Sequence, residues 1–267
     1  MPTADPQITL LPLMRRFWIS LVSIWIWTVL GVCLLVWFPL MVILRLVTAP
    51  FDPGRYWVGF FFRKVAVVMT AQNPLWDFKV SGTLPPDPRR PYVVVANHES
   101  FVDILLISHL PWEMKWFSKV ELMRIPIMGW DMWLAGDIPI LRGTRKSAVE
   151  AMRRCRTILG QRVSVILFPE GTRSVDGQLL PFKDGAFRLA IDSGIPILPL
   201  VVCGTGTARR KHEWRVNPAR AEVRVLEPLE TTGRTPADVP VLRDRVRDLI
   251  AKTRAEMGPA IPPPIPT

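Results

Sequence analysis

The N-terminal part of the chain contains a long segment without charged side chains. Residues 17–44 include no Asp, Glu, Lys or Arg. The segment exceeds the ~20 apolar residues that a helix needs to cross a bilayer. The apolar core of a secretory signal peptide is shorter, about 7–15 residues, and precedes a small-residue cleavage site. The pattern therefore predicts a membrane-embedded helical segment.

Two arrangements of this segment are open. One helix can cross the bilayer, or Gly31 and Pro39 can divide the run into two shorter helices that enter and leave on one side. Basic residues are more frequent after the run than before it: Arg45, Arg55, Arg63 and Lys64 follow it, and Arg15 and Arg16 precede it. For a crossing helix, this bias predicts that the larger part of the chain faces the cytoplasm.

The chain after this segment divides at proline-rich stretches. Residues 56–69 are apolar, rich in Phe and Trp and interrupted by two basic residues, which is typical of an interfacial stretch. A turn-forming linker begins at residue 85. We therefore predict a membrane-anchoring region at 1–84, a main domain at 85–257 and a flexible Pro-rich tail at 258–267.

Short β-branched runs alternate with helical patterns in the main domain. The runs at 92–96, 163–168 and 195–202, with a fourth at 221–226, are typical of strands buried in a parallel sheet. Apolar residues recur at helical spacing in 148–159 and 242–257. The alternation predicts an α/β fold with a mixed, mostly parallel sheet flanked by helices.

Composition narrows the possible partners. The net charge of +11 favours anionic partners such as phosphates or lipid headgroups. Nucleic acid is the weaker interpretation, because the basic residues are dispersed and no reader motif occurs. Cys33, Cys155 and Cys203 lie far apart and form no C-x-x-C pair, so we expect neither a disulfide framework nor a zinc site.

Candidate chemistry follows the first buried strand. His98 and Asp103 lie just after 92–96, and the carboxyl ends of strands are where open α/β sheets bind ligands. A carboxylate beside a histidine can fix its tautomer and stabilise the imidazolium, which makes His98 a candidate general base. Alternatively, Asp103 only satisfies a helix start and His98 is a polar surface residue.

A second polar turn follows the strand at 163–168. Gly171 allows a sharp turn and Arg173 offers a bidentate donor, a combination that suits a phosphate. Alternatively, Glu170 and Arg173 pair with each other in an ordinary turn. Lys183 and Arg142 can complete an anion site, although each by itself is typical of a solvated surface charge.

Four blocks, in this order, resemble those of the glycerolipid acyltransferase family, best known through the 1-acylglycerol-3-phosphate acyltransferases. They are N-H-x-S-x-x-D at 97–103, an arginine-bearing block ending at Arg142, F-P-E-G-T-R-S at 168–174 and a proline-bearing apolar block at 195–200. The first and third match at every fixed position. Glu99 and the residues 137–140 depart from the usual pattern, which bears on the identity of the acceptor.

The resemblance implies roles for these residues. His98 deprotonates the acceptor hydroxyl, Asp103 orients His98, and the hydroxyl attacks a thioester without an acyl-enzyme. No cofactor or metal is implied, and acyl-CoA or acyl carrier protein serves as co-substrate. Arg173 holds the acceptor phosphate, and the acceptor site comprises Asn97, Ser100, Arg142, Glu170, Gly171, Thr172, Arg173 and Lys183.

The expected reaction is acylation of 1-acylglycerol-3-phosphate to phosphatidic acid, by a protein of the bacterial inner membrane whose catalytic domain faces the cytoplasm. The partners are membrane lipids, the lysophospholipid and the thioester donor, without nucleic acid. Three alternatives stay open: another lysophospholipid or lyso-aminolipid acceptor, an esterase that uses Ser100, and a non-catalytic protein that binds anionic lipid. The absence of a G-x-S-x-G motif disfavours the esterase.

Overall fold

The computed structural model describes residues 6–141, 143–173, 178–209 and 213–258, with the backbone alone for residues 6–12. Arg142 and the predicted tail beyond Gly258 lie outside the described residues. The helices are α1 Pro6–Thr48, α2 Tyr56–Ala71, α3 Val102–Ile107, α4 Val120–Met123, α5 Met128–Ala135, α6 Arg145–Gly160, α7 Gly185–Ser193, α8 Thr205–Ala208 and α9 Val239–Met257. The strands are β1 Trp76–Gly82, β2 Val93–Ala96, β3 Met114–Lys119, β4 Ile138–Ile140, β5 Ser164–Leu167, β6 Ile197–Cys203 and β7 Ala219–Val225.

The predicted apolar segment lies in one helix. α1 continues for 43 residues through Gly31 and Pro39, so it is not divided into two. A proline costs a helix one hydrogen bond but need not end it, and apolar surroundings favour a helix that satisfies its own backbone. Its part Leu13–Thr48 is long and apolar enough to cross a membrane by length and composition. This is consistent with membrane association.

α1 also packs against the rest of the chain. Ile19, Val22 and Ile26 are buried in a cluster with Val102 and Leu105 from the region of α3. Further along, Met41 packs against residues of α2 and α5. α1 therefore contacts the main domain in its first half and again near its end.

The sheet has seven strands in the order β1-β7-β6-β2-β5-β3-β4. Every pair of neighbours is parallel except β6 and β7. Apolar clusters cover both faces; α6, α7 and α9 lie on one, and α3 lies on the other. The predicted fold class is confirmed.

Three strands differ from the sequence prediction. β1, β3 and β4 lie outside the four predicted runs, and β1 pairs with β7, so the sheet begins before residue 85. β1 has mixed exposure along its length, β3 includes the buried Lys115, and β4 has only three residues, one of them a proline. β1 and β3 lack the β-branched signature of a buried run, whereas the sequence around β4 shows an apolar, strand-like pattern before Arg142 that is shorter than the four predicted runs.

Four buried charged residues join α2 to the sheet. Arg63 of α2 pairs with Asp137 and, at 3.4 Å, with Glu113, while the Lys115 ammonium lies 2.9 Å from the same Glu113 oxygen. A Cβ on Gly59 would lie 2.1 Å from that oxygen, so only glycine allows α2 to approach so closely. This buried charge cluster fixes α2 against β3.

Candidate active site

Three strand ends bring the candidate residues together. β2 leads into residues 97–103, its neighbour β5 into 168–173, and its other neighbour β6 into the start of α8. Parallel strands end at the same edge of a sheet, so loops that are distant in sequence meet there. The first and third sequence blocks therefore lie side by side.

His98 and Asp103 form a hydrogen-bonded pair. The Nδ1 atom of His98 lies 2.7 Å from Oδ2 of Asp103, which is fully buried. The same oxygen accepts the backbone N–H groups of Glu99 and Ser100, and the Thr205 hydroxyl donates to Oδ1. Because Asp103 acts as the acceptor in these contacts, the imidazole nitrogen that faces it acts as the donor, which favours the tautomer with a proton on Nδ1.

This tautomer leaves Nε2 of His98 as the proton acceptor. Within the described residues no protein group hydrogen-bonds Nε2, and 12% of the side chain is exposed. The imidazole ring stacks on Phe168 with centroids 4.0 Å apart, which holds its plane. The geometry suits a general base whose reactive nitrogen faces a substrate.

Glu170 connects the two loops. Its carboxylate accepts the backbone N–H of His98 at 2.8 Å and that of Leu180 at 2.9 Å. Burial raises the pKa of Glu170, and these two backbone bonds oppose the increase. Among the described residues, the Glu170 carboxylate hydrogen-bonds backbone N–H groups and forms no ion pair with Arg173, so the pairing considered as an alternative does not form. Glu170 holds the His98 backbone in position.

Basic side chains lie near the His98–Asp103 pair. Gly171 has φ +72°, and a Cβ on it would lie 2.6 Å from the Lys183 ammonium, so Lys183 lies over the turn. Burial, and secondly the charge of Arg173, lower the pKa of the Arg209 guanidinium. Arg209 also packs on the ring of Trp27 in α1, 5.3 Å from the centroid. This side of the site is positively charged and borders α1.

Glu99 links the site to the C-terminal helix. One of its oxygens accepts two bonds from Arg254 of α9, at 3.1 and 2.8 Å. The other accepts the backbone N–H of Gly204 at 3.1 Å. Burial raises the pKa of Glu99, and Arg254 opposes the increase. α9 is therefore tied to the residue next to His98.

The chain matches the family model described as Acyltransferase over residues 77–203. This match covers β1 to β6 and includes His98, Asp103 and the Glu170 turn. Residues 77–203 belong to the acyltransferase family. The resemblance that the sequence blocks indicate is confirmed.

Relatives agree with this assignment. The chain is 44% identical to the human 1-acyl-sn-glycerol-3-phosphate acyltransferase alpha, over 60% of this chain and 57% of that protein. It is 34% identical to the 1-acyl-sn-glycerol-3-phosphate acyltransferase of Saccharomyces cerevisiae, over 65% of this chain and 59% of that protein. The chain thus spans less than two thirds of the length of these relatives.

A solved structure has the same architecture. The crystal structure of the 1-acyl-sn-glycerophosphate (LPA) acyltransferase PlsC from Thermotoga maritima superposes with a TM-score of 0.77 at 26% identity. It covers 91% of this chain and 97% of that chain. The similarity therefore includes the N-terminal helices as well as the acyltransferase domain.

Three of the residues predicted for the acceptor site have other contacts or are exposed in the structure. The Asn97 amide exchanges two hydrogen bonds of 2.8 Å with the Val202 backbone, so it ties β2 to β6. Ser100 is buried and its hydroxyl donates to the Arg209 carbonyl at 3.3 Å. Thr172 is exposed on the turn. Arg142 lies outside the described residues.

Three residues of the site, Arg209, Thr205 and Arg254, were not predicted from the sequence, and Glu99 was identified only as a departure from the family pattern. Arg209 has a usable signal, because it begins a basic run just after β6, at the edge where the other loops meet. The contacts of Thr205, Glu99 and Arg254 have no such signal, because the partners are 102 to 155 positions apart. Within the described residues, no group of three His, Cys, Asp or Glu side chains could hold a metal ion.

Proposed function

We propose that this chain transfers a fatty acyl group from acyl-CoA or acyl carrier protein to the free hydroxyl of 1-acylglycerol-3-phosphate, giving phosphatidic acid. The observation that carries the proposal is the His98–Asp103 pair, joined at 2.7 Å, with Nε2 available and cations beside it. Membership of residues 77–203 in the acyltransferase family and the names of the relatives support the same reaction.

The reaction needs one base and no covalent enzyme intermediate. Nε2 of His98 removes the proton as the acceptor oxygen attacks the thioester carbonyl carbon. The C–S bond breaks, the ester C–O bond forms, and the imidazolium returns its proton to the thiolate. Asp103 keeps its hydrogen bond to Nδ1 and stabilises the imidazolium. The thioester is already activated, whereas the acceptor hydroxyl is a weak nucleophile and needs a general base.

The acceptor phosphate binds on the cationic side of the site. Arg173 offers a planar donor pair, and Lys183 lies over the Gly171 turn. Arg209 adds a third cation, with its guanidinium 5.3 Å from the centroid of the Trp27 ring and 5.8 Å from that of Phe101. A phosphate monoester neutralises such a cluster better than a zwitterionic headgroup does, which favours lysophosphatidic acid over other lysolipids.

Other functions that the sequence left open fit less well. An esterase would need Ser100 as nucleophile, but Ser100 is 2% exposed and its hydroxyl faces the Arg209 carbonyl instead of His98. A protein that only binds anionic lipid has no use for a histidine whose tautomer is fixed by a buried carboxylate. Another lysophospholipid acceptor is the remaining alternative. A comparison of acyl transfer rates to lysophosphatidic acid and to other lysophospholipids distinguishes the two.

The same proposal includes the location of the protein. α1 exposes large apolar side chains along its length, including Phe17, Trp25 and Ile43. Such a surface suits acyl chains better than water. We infer that the chain works at a membrane, the bacterial inner membrane, with the acyltransferase domain on the cytoplasmic side, where thioester donors are made.

The test is acyl transfer to lysophosphatidic acid by purified protein in detergent, compared with His98→Ala. Loss of a general base is expected to lower the rate roughly 10²–10⁴-fold. His109→Gln is the matched control, because His109 contacts Thr70 at 2.7 Å and not the His98–Asp103 pair. Equal activity of His98→Ala and parent would refute the mechanism. Failure of the parent with several lysolipids and both donors would refute the function.

A further inference from the structure

The segment α4–α5 exposes aromatic side chains on the surface of the acyltransferase domain. Trp130 is 52% exposed, Trp133 is 61% exposed, and Ile125 before α5 is 45% exposed. Large apolar side chains grouped in this way on a domain surface mark a contact with a protein or a lipid.

The two tryptophans share one face of α5. They are three positions apart, so their side chains project from the same side of the helix. The residues between and after them, Met132, Leu134 and Ala135, are buried. α5 therefore packs on the domain with its inner side and directs both indole rings outward.

This aromatic face continues the apolar surface of α1. The Trp130 ring lies 5.5 Å from the ring of Phe38 in α1. Leu40 and Ile43, close to Phe38 along α1, are also exposed. The face on α5 and the exposed side of α1 are thus neighbours, and a bilayer that solvates one reaches the other.

Cations border the same face. The Arg55 guanidinium lies 5.0 Å from the centroid of the Trp133 ring. Arg124, at the end of α4, is exposed next to Ile125. Tryptophan together with arginine is the composition of the headgroup level of a membrane, where indole rings and cations meet anionic lipid phosphates. Tryptophan and arginine also occur together in protein interfaces, so the choice of a lipid surface rests on the continuity of this face with α1, the candidate membrane helix.

We propose that the α5 face, formed by Ile125, Trp130 and Trp133, is a second membrane contact that rests in the headgroup layer of an anionic bilayer. Because the domain packs on α1, a contact through α1 alone would leave the two free to rotate together about the helix axis. A second contact beside β3 and β4 fixes the orientation of the domain. The proposal does not depend on the reaction assigned above.

The test measures the depth of single labels in the full chain. Trp130→Cys and Trp133→Cys are labelled with an environment-sensitive fluorophore and reconstituted into phosphatidylglycerol–phosphatidylethanolamine vesicles. The unsubstituted chain, treated identically, gives the background from its own three cysteines. Val241→Cys is the matched control, because Val241 is 66% exposed at the start of α9, on the other side of the sheet.

Labels at positions 130 and 133 are expected to shift to shorter emission wavelengths and to lose fluorescence to lipids that carry a nitroxide near the headgroup. The label at position 241 is expected to do neither. Equal behaviour at all three positions would overturn the proposal. A wavelength shift without nitroxide quenching would also overturn it, because it indicates a protein contact. Ile125→Cys replaces either tryptophan variant if that variant fails to fold.

Discussion

Replacement of Arg63 by methionine tests the buried charge cluster. Arg63 and Asp137 pair through two nitrogen–oxygen contacts, and Arg63 also lies 3.4 Å from Glu113. Exposure of the four charged side chains, including Lys115, ranges from 0 to 8%. The cluster has two positive and two negative groups. Arg63→Met therefore leaves one buried negative charge without compensation.

The size of the effect follows from this burial. Removal of one partner of a buried ion pair typically costs about 3–5 kcal/mol, because the remaining charge stays desolvated. For a domain of this size, each kcal/mol corresponds to a melting shift of roughly 2–4 °C. We expect Arg63→Met to lower the apparent Tm by roughly 6–20 °C. Methionine fills most of the volume that the apolar part of the Arg63 side chain occupies, so a cavity contributes little to the loss of stability.

The assay is thermal unfolding in detergent, followed by tryptophan fluorescence at one scan rate. Arg162→Met is the matched control, because Arg162 pairs with Asp87 at 3.2 Å while the two side chains are 65% and 50% exposed. An exposed pair is worth about 0–1 kcal/mol, so this control is expected to melt within a few degrees of the parent.

A double variant separates charge from packing. Arg63→Met combined with Asp137→Asn removes one charge of each sign and leaves Glu113 paired with Lys115 at 2.9 Å. The double variant is expected to recover part of the stability lost in Arg63→Met, because residues in contact do not add independently. A stabilising role of the buried charge cluster is refuted if Arg63→Met melts at the same temperature as the Arg162→Met control, or if the double variant is less stable than the single one.

Two further outcomes are expected. Arg254→Gln removes the partner of Glu99 and should reduce kcat/KM about tenfold, since coupling within a charge network is commonly about 0.5–3 kcal/mol. Arg254→Lys should retain more activity, and the exposed control Lys252→Gln should match the parent. Equal rates for all three variants would contradict a role of Arg254 in positioning the loop that carries His98. Burial raises the pKa of Asp131 to about 7, so the folded state binds its proton more tightly than the unfolded state and loses stability as pH rises from about 4 to 7. Asp131→Asn should therefore raise Tm at about pH 8 more than at about pH 5, and a gain independent of pH would contradict this origin.

The sequence by itself determined the class of fold and the two loops that form the candidate active site. Buried strands such as 163–168 have no solvated face, so their apolar runs are visible without a structure. The His98 and Glu170 blocks are visible because each is a short contiguous motif at the end of such a strand. The length of the apolar segment likewise indicated a membrane helix before any packing was known.

Only the tertiary structure decided which of these residues meet. β2 lies between β5 and β6, and this order brings the Glu170 carboxylate onto the His98 backbone and the Thr205 hydroxyl onto Asp103. It also revealed Arg254 as the partner of Glu99, 155 positions away. A periodicity or a motif records the neighbours of a residue along the chain. Contacts across the sheet depend on strand order and side-chain direction, which no local pattern encodes.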